Sequence, residues 1–386
     1  IRGKLMKISM LAKSAAVALV FGLVASTPAH AVDLSGSGAS FPALLIEACK
    51  APFATASGHS FTYASLGSGT GRSNSDKSVG DFWFSDAAHT AASKRSTIIH
   101  APVVAAPIGI LHNLPSRNTL SLSATTIAGI FAGTITRWDD PAIVKDNNRA
   151  YDKIVYKTKG GQLVKDSSGQ PVVAKKIATT TRYTLPDKPI KVVYRLDSSG
   201  TTENFTNYLN KSAPAVWTKA KSSVFTTSFP GNINSAENLG RVVGANYSQG
   251  VAQQAGKTPY SITFAEVNYA VGNKLKVAHV INPSGNAVEP TSVSTSAFLA
   301  QGAMDANGIV SFDYATKEAG AYTLGIVSYM LVDTAYADKT RGAAVKALAN
   351  FVLSPACAKD KGEALGFAVL DGNFKKKADE QIAKIG

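Results

Sequence analysis

Residues 191–202 read Lys191-Val192-Val193-Tyr194-Arg195-Leu196-Asp197-Ser198-Ser199-Gly200-Thr201-Thr202. The apolar, β-branched run 191–194 is expected to form a strand that leads straight into Arg195. Ser199, Gly200 and Thr201 open a helix expected over 202–209, with Phe205, Tyr208 and Leu209 on its apolar face. A strand, a polar turn and a helix in so short a span form the repeating unit of an α/β fold. The same stretch carries chemistry. Arg195 offers a planar fork of donors suited to an oxyanion, and Asp197 is placed to hold that fork still. The helix start adds unpaired N–H groups and partial positive charge. The combination suits a tetrahedral anion; the plainer alternative is a surface ion pair beside a helix cap.

Outward from this stretch the alternation continues. Strands are expected over 60–65, 80–85, 103–112 and 322–333, and helices over 42–56, 123–131 and 343–353. Residues 153–178 differ in character: rich in Lys, Gly, Ser and Thr, with turns at Gly160-Gly161 and Ser168-Gly169, they read as one or two exposed hairpins.

Three further turns place small residues where a backbone donor is free. In Gly36-Ser37-Gly38-Ala39-Ser40-Phe41-Pro42, Ser40 reads as an N-cap and Pro42 suits the first helical turn. Gly67-Ser68-Gly69-Thr70-Gly71 lets a backbone approach a ligand closely, but lacks the Gly-Lys-Ser/Thr of a P-loop, and its third glycine is misplaced for a dinucleotide fingerprint. By itself it reads as a loop. Asp81-Phe82-Trp83-Phe84-Ser85-Asp86 puts a carboxylate at the end of an apolar strand; a cap for a following helix, from Ser85 or Asp86, is the competing reading.

Residues 6–31 have the pattern of a secretory leader: Lys7 and Lys13, an apolar run over 15–25, and the small-x-small site Ala29-His30-Ala31. The run is shorter than the ~20 residues of a membrane span. Met6 is read as the true start, with residues 1–5 upstream of it, and the mature chain as beginning near Val32. With no Cys near the cleavage site, a lipid anchor on a mature N-terminal Cys is not expected.

Of the 386 residues, 355 follow position 31, more than one core usually holds, so two lobes are expected. A hydrophobic fraction of 45% with 17% charged residues is that of an ordinary globular protein. The formal charge of +14 falls to +10 once Arg2, Lys4, Lys7 and Lys13 are set aside. Apart from Lys375-Lys376-Lys377 the basic residues are scattered, without an aromatic-interleaved stripe or zinc-finger spacing, so nucleic acid is not an expected partner. A positive field that draws in small anions fits better. Two cysteines, Cys49 and Cys357, and six scattered His show no metal-ligand spacing, and no cofactor is expected. In an oxidising compartment the cysteines either pair, which needs both chain ends in one lobe, or stay as buried thiols.

Taken together and in order, these segments resemble the phosphate-binding proteins of high-affinity phosphate ABC transporters. The similarity runs over nearly the whole mature chain. It includes residues 36–42, 66–71, 81–87, 195–206, the Ile135-Thr136-Arg137-Trp138-Asp139-Asp140-Pro141 pattern and Ser248-Gln249-Gly250-Val251-Ala252. The resemblance implies an α/β, two-lobed periplasmic binding protein fold (class II, Venus flytrap) with a hinge and an interlobe cleft. Lobe I would hold residues 32–107 plus 324–386, and lobe II residues 108–323 with the hairpin insertion 153–178. It implies phosphate-binding roles for Ser40, Phe41, Ser68, Asp86, Arg195, Ser199, Gly200 and Thr201, with Asp197 supporting Arg195. The implied partners are inorganic phosphate and an inner-membrane ABC permease, and the implied state is a periplasmic monomer. Trp83 and Phe84 are bulkier than the small residues the family often has there, and the insertion is longer than usual.

The chemistry of such a set is selective. Phosphate keeps a proton at neutral pH, and ionised Asp86 can only accept, so it takes that proton's hydrogen bond and repels sulfate. Two like charges left unpaired in a buried site cost on the order of several kcal/mol. Alternatives are a site for another oxyanion or a phosphorylated compound, and a secreted phosphatase or Ser hydrolase. Against the enzymes stand the lack of a Gly-x-Ser-x-Gly elbow, of a catalytic His motif and of a metal cluster. An adhesive role for the hairpin insertion is compatible with either reading.

Overall fold

The computed structural model describes residues 31–386; the leader read from residues 6–31 lies, but for Ala31, outside them. Strand β1 (Asp33–Gly38) leads to helix α1 (Ala43–Ser57), β2 (Ser60–Ser65), α2 (Ser68–Lys77) and β3 (Phe82–Ser85). β1 pairs in parallel with both β2 and β3, so the two helices are the crossovers that parallel pairing requires. The long, almost wholly buried β4 (Ile98–His112) follows. Beyond it come α3 (Ala124–Ala132), α4 (Pro141–Asn147) and the hairpin β5 (Ala150–Tyr156) with β6 (Val173–Thr180). The second run of parallel units is β7 (Lys191–Arg195), α5 (Gly200–Ser212), β8 (Val242–Ala245), α6 (Tyr247–Lys257), β9 (Ser261–Glu266) and β10 (Lys276–Ile281). Strand β11 (Gly325–Asp333), α7 (Lys339–Leu353) and α8 (Gly372–Ala383) complete the chain.

The sheet order is β8-β7-β9-β4-β11-β3-β1-β2. β4 belongs to both halves: residues 98–107 pair with β11, and residues 108–112 pair with β9. One half therefore carries β1, β2 and β3, and the other β7, β8 and β9. The parallel strands of both halves end in turns that carry Ser40, Ser68, Asp86, Arg195 and Ser248. In open α/β sheets this carboxyl edge is where ligands bind.

Several expectations changed. Ser40 does not cap α1: the residue before the helix is Pro42, which offers no side-chain cap, and the Ser40 hydroxyl is spent elsewhere. Gly67-Ser68-Gly69-Thr70-Gly71 is the start of a helix rather than a loop. Three of its residues are buried, and tertiary packing overrides the low helix propensity of Gly and Ser. No helix follows Ser85-Asp86, so neither residue is a cap. β4 begins five residues earlier than its apolar core suggests because β11 pairs along that whole length.

The Trp138-Asp139-Asp140-Pro141 motif is structural. Trp138 is buried and donates to the Tyr260 carbonyl at 3.0 Å, while Asp140 caps α4 through the N–H of Ala142 at 2.9 Å. Trp83 and Phe84 are core residues. Trp83 donates to the Val79 carbonyl, and Phe84 packs edge-on to Tyr63. Cys49 of α1 and Cys357 of the turn Pro355–Lys359 are joined in a disulfide, with Cα atoms 5.4 Å apart. The hairpin β5–β6 is largely exposed and is tied down by Tyr156, which donates to Glu318 and accepts from the Gly320 N–H. Among the described residues no helix is long and apolar enough to cross a membrane, and no cluster of His, Cys, Asp or Glu suits a metal ion.

Candidate anion-binding site

Arg195 ends β7 with its side chain 2% exposed. Nε and Nη2 fork onto Asp197 at 2.8 and 2.5 Å, and Nη1 donates to Ser248 Oγ at 3.1 Å. Of five guanidinium N–H groups three are used, which leaves one on each terminal nitrogen. Asp197 is itself held by the Tyr247 N–H at 2.8 Å. The pair is close to neutral and fixed, so the remaining donors are pre-aimed.

Ser199 caps α5 by accepting from the Thr202 N–H at 3.2 Å, and its own N–H goes to the Ser223 carbonyl. Its hydroxyl proton remains to be given. The N–H groups of Gly200 and Thr201 are in the first turn, where a helix supplies no carbonyl partners. Gly200 is one of the points where the two halves meet closely. A Cβ there would come within 2.7 Å of Ser68 Oγ and 2.8 Å of Asp86 Cβ.

Asp86 is 2% exposed. Ser328 donates to Oδ1 at 2.7 Å; Ser68 and Thr201 donate to Oδ2 at 3.3 Å each. Ser68 Oγ also accepts from the Asp86 N–H at 3.1 Å, and Asn204 clips the Asp86 carbonyl at 2.6 Å. Burial pushes the Asp86 carboxyl up to about 6, against the pull of Ser328, Arg195, Ser68 and Thr201. The two 3.3 Å contacts are long for hydroxyl bonds, so the hydroxyls of Ser68 and Thr201 are weakly committed. A ligand that brings its own proton to Asp86 frees both to turn toward its oxygens.

Ser40 Oγ lies 3.1 Å from Ser248 Oγ and accepts from the Ser248 N–H at 3.2 Å. The Phe41 ring is buried edge-on to Phe367. Its backbone follows Ser40 directly, just ahead of α1. Gly38, at φ 136°, is required here because a Cβ would meet the Phe84 carbonyl at 2.1 Å.

The structure thus gathers Ser40, Phe41, Ser68, Asp86, Arg195, Ser199, Gly200 and Thr201 into one buried cluster, with Asp197 behind Arg195. A cavity of about 460 Å³, lined among others by Asp86, Glu203, Asn204, Lys211, Lys221 and Tyr329, lies beside Asp86. Ser248, Ser328, Asn204 and Glu266 were not singled out from the sequence as site residues. Ser328 and Glu266 sit in buried strands that hold other polar residues, so neither stands out in the sequence. Ser248 repeats the strand-turn-helix pattern of Arg195.

A fold and site of this kind define a solute-binding module. Residues 24–356 match the model of the PBP superfamily domain. The phosphate-binding protein PstS 3 of Mycobacterium tuberculosis is 30% identical over 303 residues, 75% of this chain and 70% of that protein. The phosphate-binding protein of Stenotrophomonas maltophilia aligns with TM-score 0.62 at 19% identity, covering 91% of this chain and 93% of that one. The high-affinity periplasmic phosphate-binding protein PfluDING, solved with phosphate bound, aligns with TM-score 0.64 at 23% identity, covering 90% and 93%. The chain belongs to the PBP superfamily and, within it, to the family of PstS-type phosphate-binding proteins, which have the two-lobed class II fold.

Proposed function

We propose that this protein captures inorganic phosphate in the site around Asp86 and Arg195 and delivers it to an inner-membrane ABC permease. The reading places it in the periplasm as a monomer, exported by a cleaved leader within residues 6–31. Lobe I is taken as residues 32–107 plus 324–386 and lobe II as 108–323, hinged where β4 and the segment before β11 cross. Ser40, Phe41, Ser68 and Asp86 then come from one lobe, and Arg195, Ser199, Gly200 and Thr201 from the other.

The observation that carries the reading is a buried carboxylate ringed by donors. Asp86 supplies the one acceptor that a protonated oxyanion needs, and the Arg195 fork, the start of α5 and the hydroxyls supply donors for the other oxygens. Charge-assisted bonds of ~1.5–3 kcal/mol each support sub-micromolar affinity after ordering costs. The test is calorimetric titration of refolded protein with phosphate and sulfate, alongside Asp86→Asn. Tight phosphate binding without sulfate heat in the wild type, and relaxed selectivity in the variant, is expected. Failure of refolded wild type to bind phosphate would falsify the reading. The cavity beside Asp86 favours a second reading, a phosphate monoester with its organic part in that space; competition by glycerol phosphate separates the two.

A further inference from the structure

Helices α2 and α5 both begin at the anion site, one in each half of the molecule: Ser68 opens α2 and Gly200 opens α5. One turn behind these ends, Arg72 of α2 meets Glu203 of α5, with Nη1 donating to Oε2 at 3.3 Å. The two side chains are 15% and 16% exposed. The other oxygen of Glu203, Oε1, takes Lys221 Nζ at 2.8 Å, and that side chain is 54% exposed. Lys221 belongs to the α5 side, because the segment that follows it is bound there: the Ser222 N–H donates to Thr206 Oγ1, and the Ser223 carbonyl accepts from the Ser199 N–H. Glu203 therefore has one cationic partner in each half. Two neutral bonds cross the same gap, from the Gly69 N–H to the Ser198 carbonyl at 3.0 Å and from Asn204 to the Asp86 carbonyl at 2.6 Å.

Resting on the phosphate reading of this site and on the lobes taken with it, we propose that Arg72 and Glu203 form a clasp across the cleft that sets how fast phosphate leaves. Phosphate held by donors at the starts of both helices is released only when those starts part, and parting them pulls Arg72 off Glu203. The pair is more shielded than a surface ion pair, so salt screens it less, and its loss adds to the barrier to opening. Lys221 moves with α5 and stays on Glu203 as the halves separate. The carboxylate is then never left bare, which keeps the clasp reversible. An incoming anion meets the open form, in which Arg72 and Glu203 are apart. The clasp accordingly acts on release and leaves capture unchanged.

The experiment is stopped-flow release of phosphate from loaded protein into an enzymatic phosphate trap, with dissociation constants from titration. It compares wild type, Arg72→Gln, Glu203→Gln, the double variant and Lys221→Gln. Arg72→Gln is expected to release phosphate about fivefold faster than wild type, with the association rate within about twofold. In the Glu203→Gln background the same Arg72 change is expected to alter release by less than about twofold, because its partner is already gone. Lys221→Gln removes an equal charge from the same carboxylate, yet is expected to release no faster than wild type. An Arg72 that acted only through its positive field would speed release equally in both backgrounds, and that result overturns the clasp. Release from Arg72→Gln at the wild-type rate also overturns it, as does release from Lys221→Gln as fast as from Arg72→Gln. Should a Glu203 variant fail to fold, the comparison of Arg72→Gln with Lys221→Gln decides. No phosphate binding by wild type overturns the phosphate reading and the clasp with it, whereas tight binding with unchanged release rates overturns the clasp alone.

Discussion

At the scale of single residues, the site is built from groups whose burial is unfavourable without a ligand. The Asp86 carboxyl has a folded-state pKa near 6, above its ordinary value of 3.8. The folded chain binds that proton more tightly than the unfolded chain, so this contribution is favourable at low pH and is lost as pH rises through about 6. Asp86→Asn is therefore expected to raise the melting temperature of ligand-free protein above pH 6, by an amount that vanishes toward pH 4; calorimetric scans against pH check it. Arg195→Lys keeps the charge but loses the fork onto Asp197. Phosphate affinity is expected to fall by about 2–3 kcal/mol, or about a hundredfold, in a binding titration. Asp86 and Arg195 were legible because each is a charged residue at the end of an apolar strand. Ser248 and Ser328 were not, because a serine acquires a role only from strands and helices remote in sequence. The proton of Ser328 reaches Asp86 across a separation of 242 residues.

At the scale of elements, the turn after β7 was read correctly as strand, Arg, cap and helix, since Ser199 does cap α5. The turn after β1 was misread. Ser-x-Pro looks like a cap, but the Ser40 hydroxyl finds Ser248 instead. Helix α2 was missed because its glycines serve close approach rather than flexibility: a Cβ on Gly69 would strike Ser198 at 2.4 Å, and one on Gly71 the Phe84 carbonyl at 2.4 Å. Gly200 is the case nearest the anion. Gly200→Ala suits a helix by propensity, yet its methyl would wedge Ser68 and Asp86 away from the start of α5. The expected outcome is phosphate affinity reduced at least about tenfold with helix content unchanged, read by titration and circular dichroism.

For the whole molecule, the α/β class followed from alternating strands and helices, and the pairing of β4 with both halves could not. A fifteen-residue run that is apolar but for His100 and His112 says that a strand is buried, not which neighbours bury it. The Cys pairing was left open by the sequence for the same reason. In the structure it staples α1 to the C-terminal turn across 308 residues. Loop-closure entropy assigns a loop of this length about 5–6 kcal/mol. Replacing both cysteines by Ala, or reducing the bond, is expected to lower the melting temperature by several degrees while leaving the phosphate dissociation constant within about twofold, since neither sulfur touches the site.

That bridge also bears on biosynthesis. Cys357 is translated 308 residues after Cys49, so at ~5–20 residues per second Cys49 waits roughly 15–60 s for its partner. The pairing of Cys49 with Cys357 closes only when Cys357 has emerged. Oxidation of this pair thus reports that synthesis has passed Cys357.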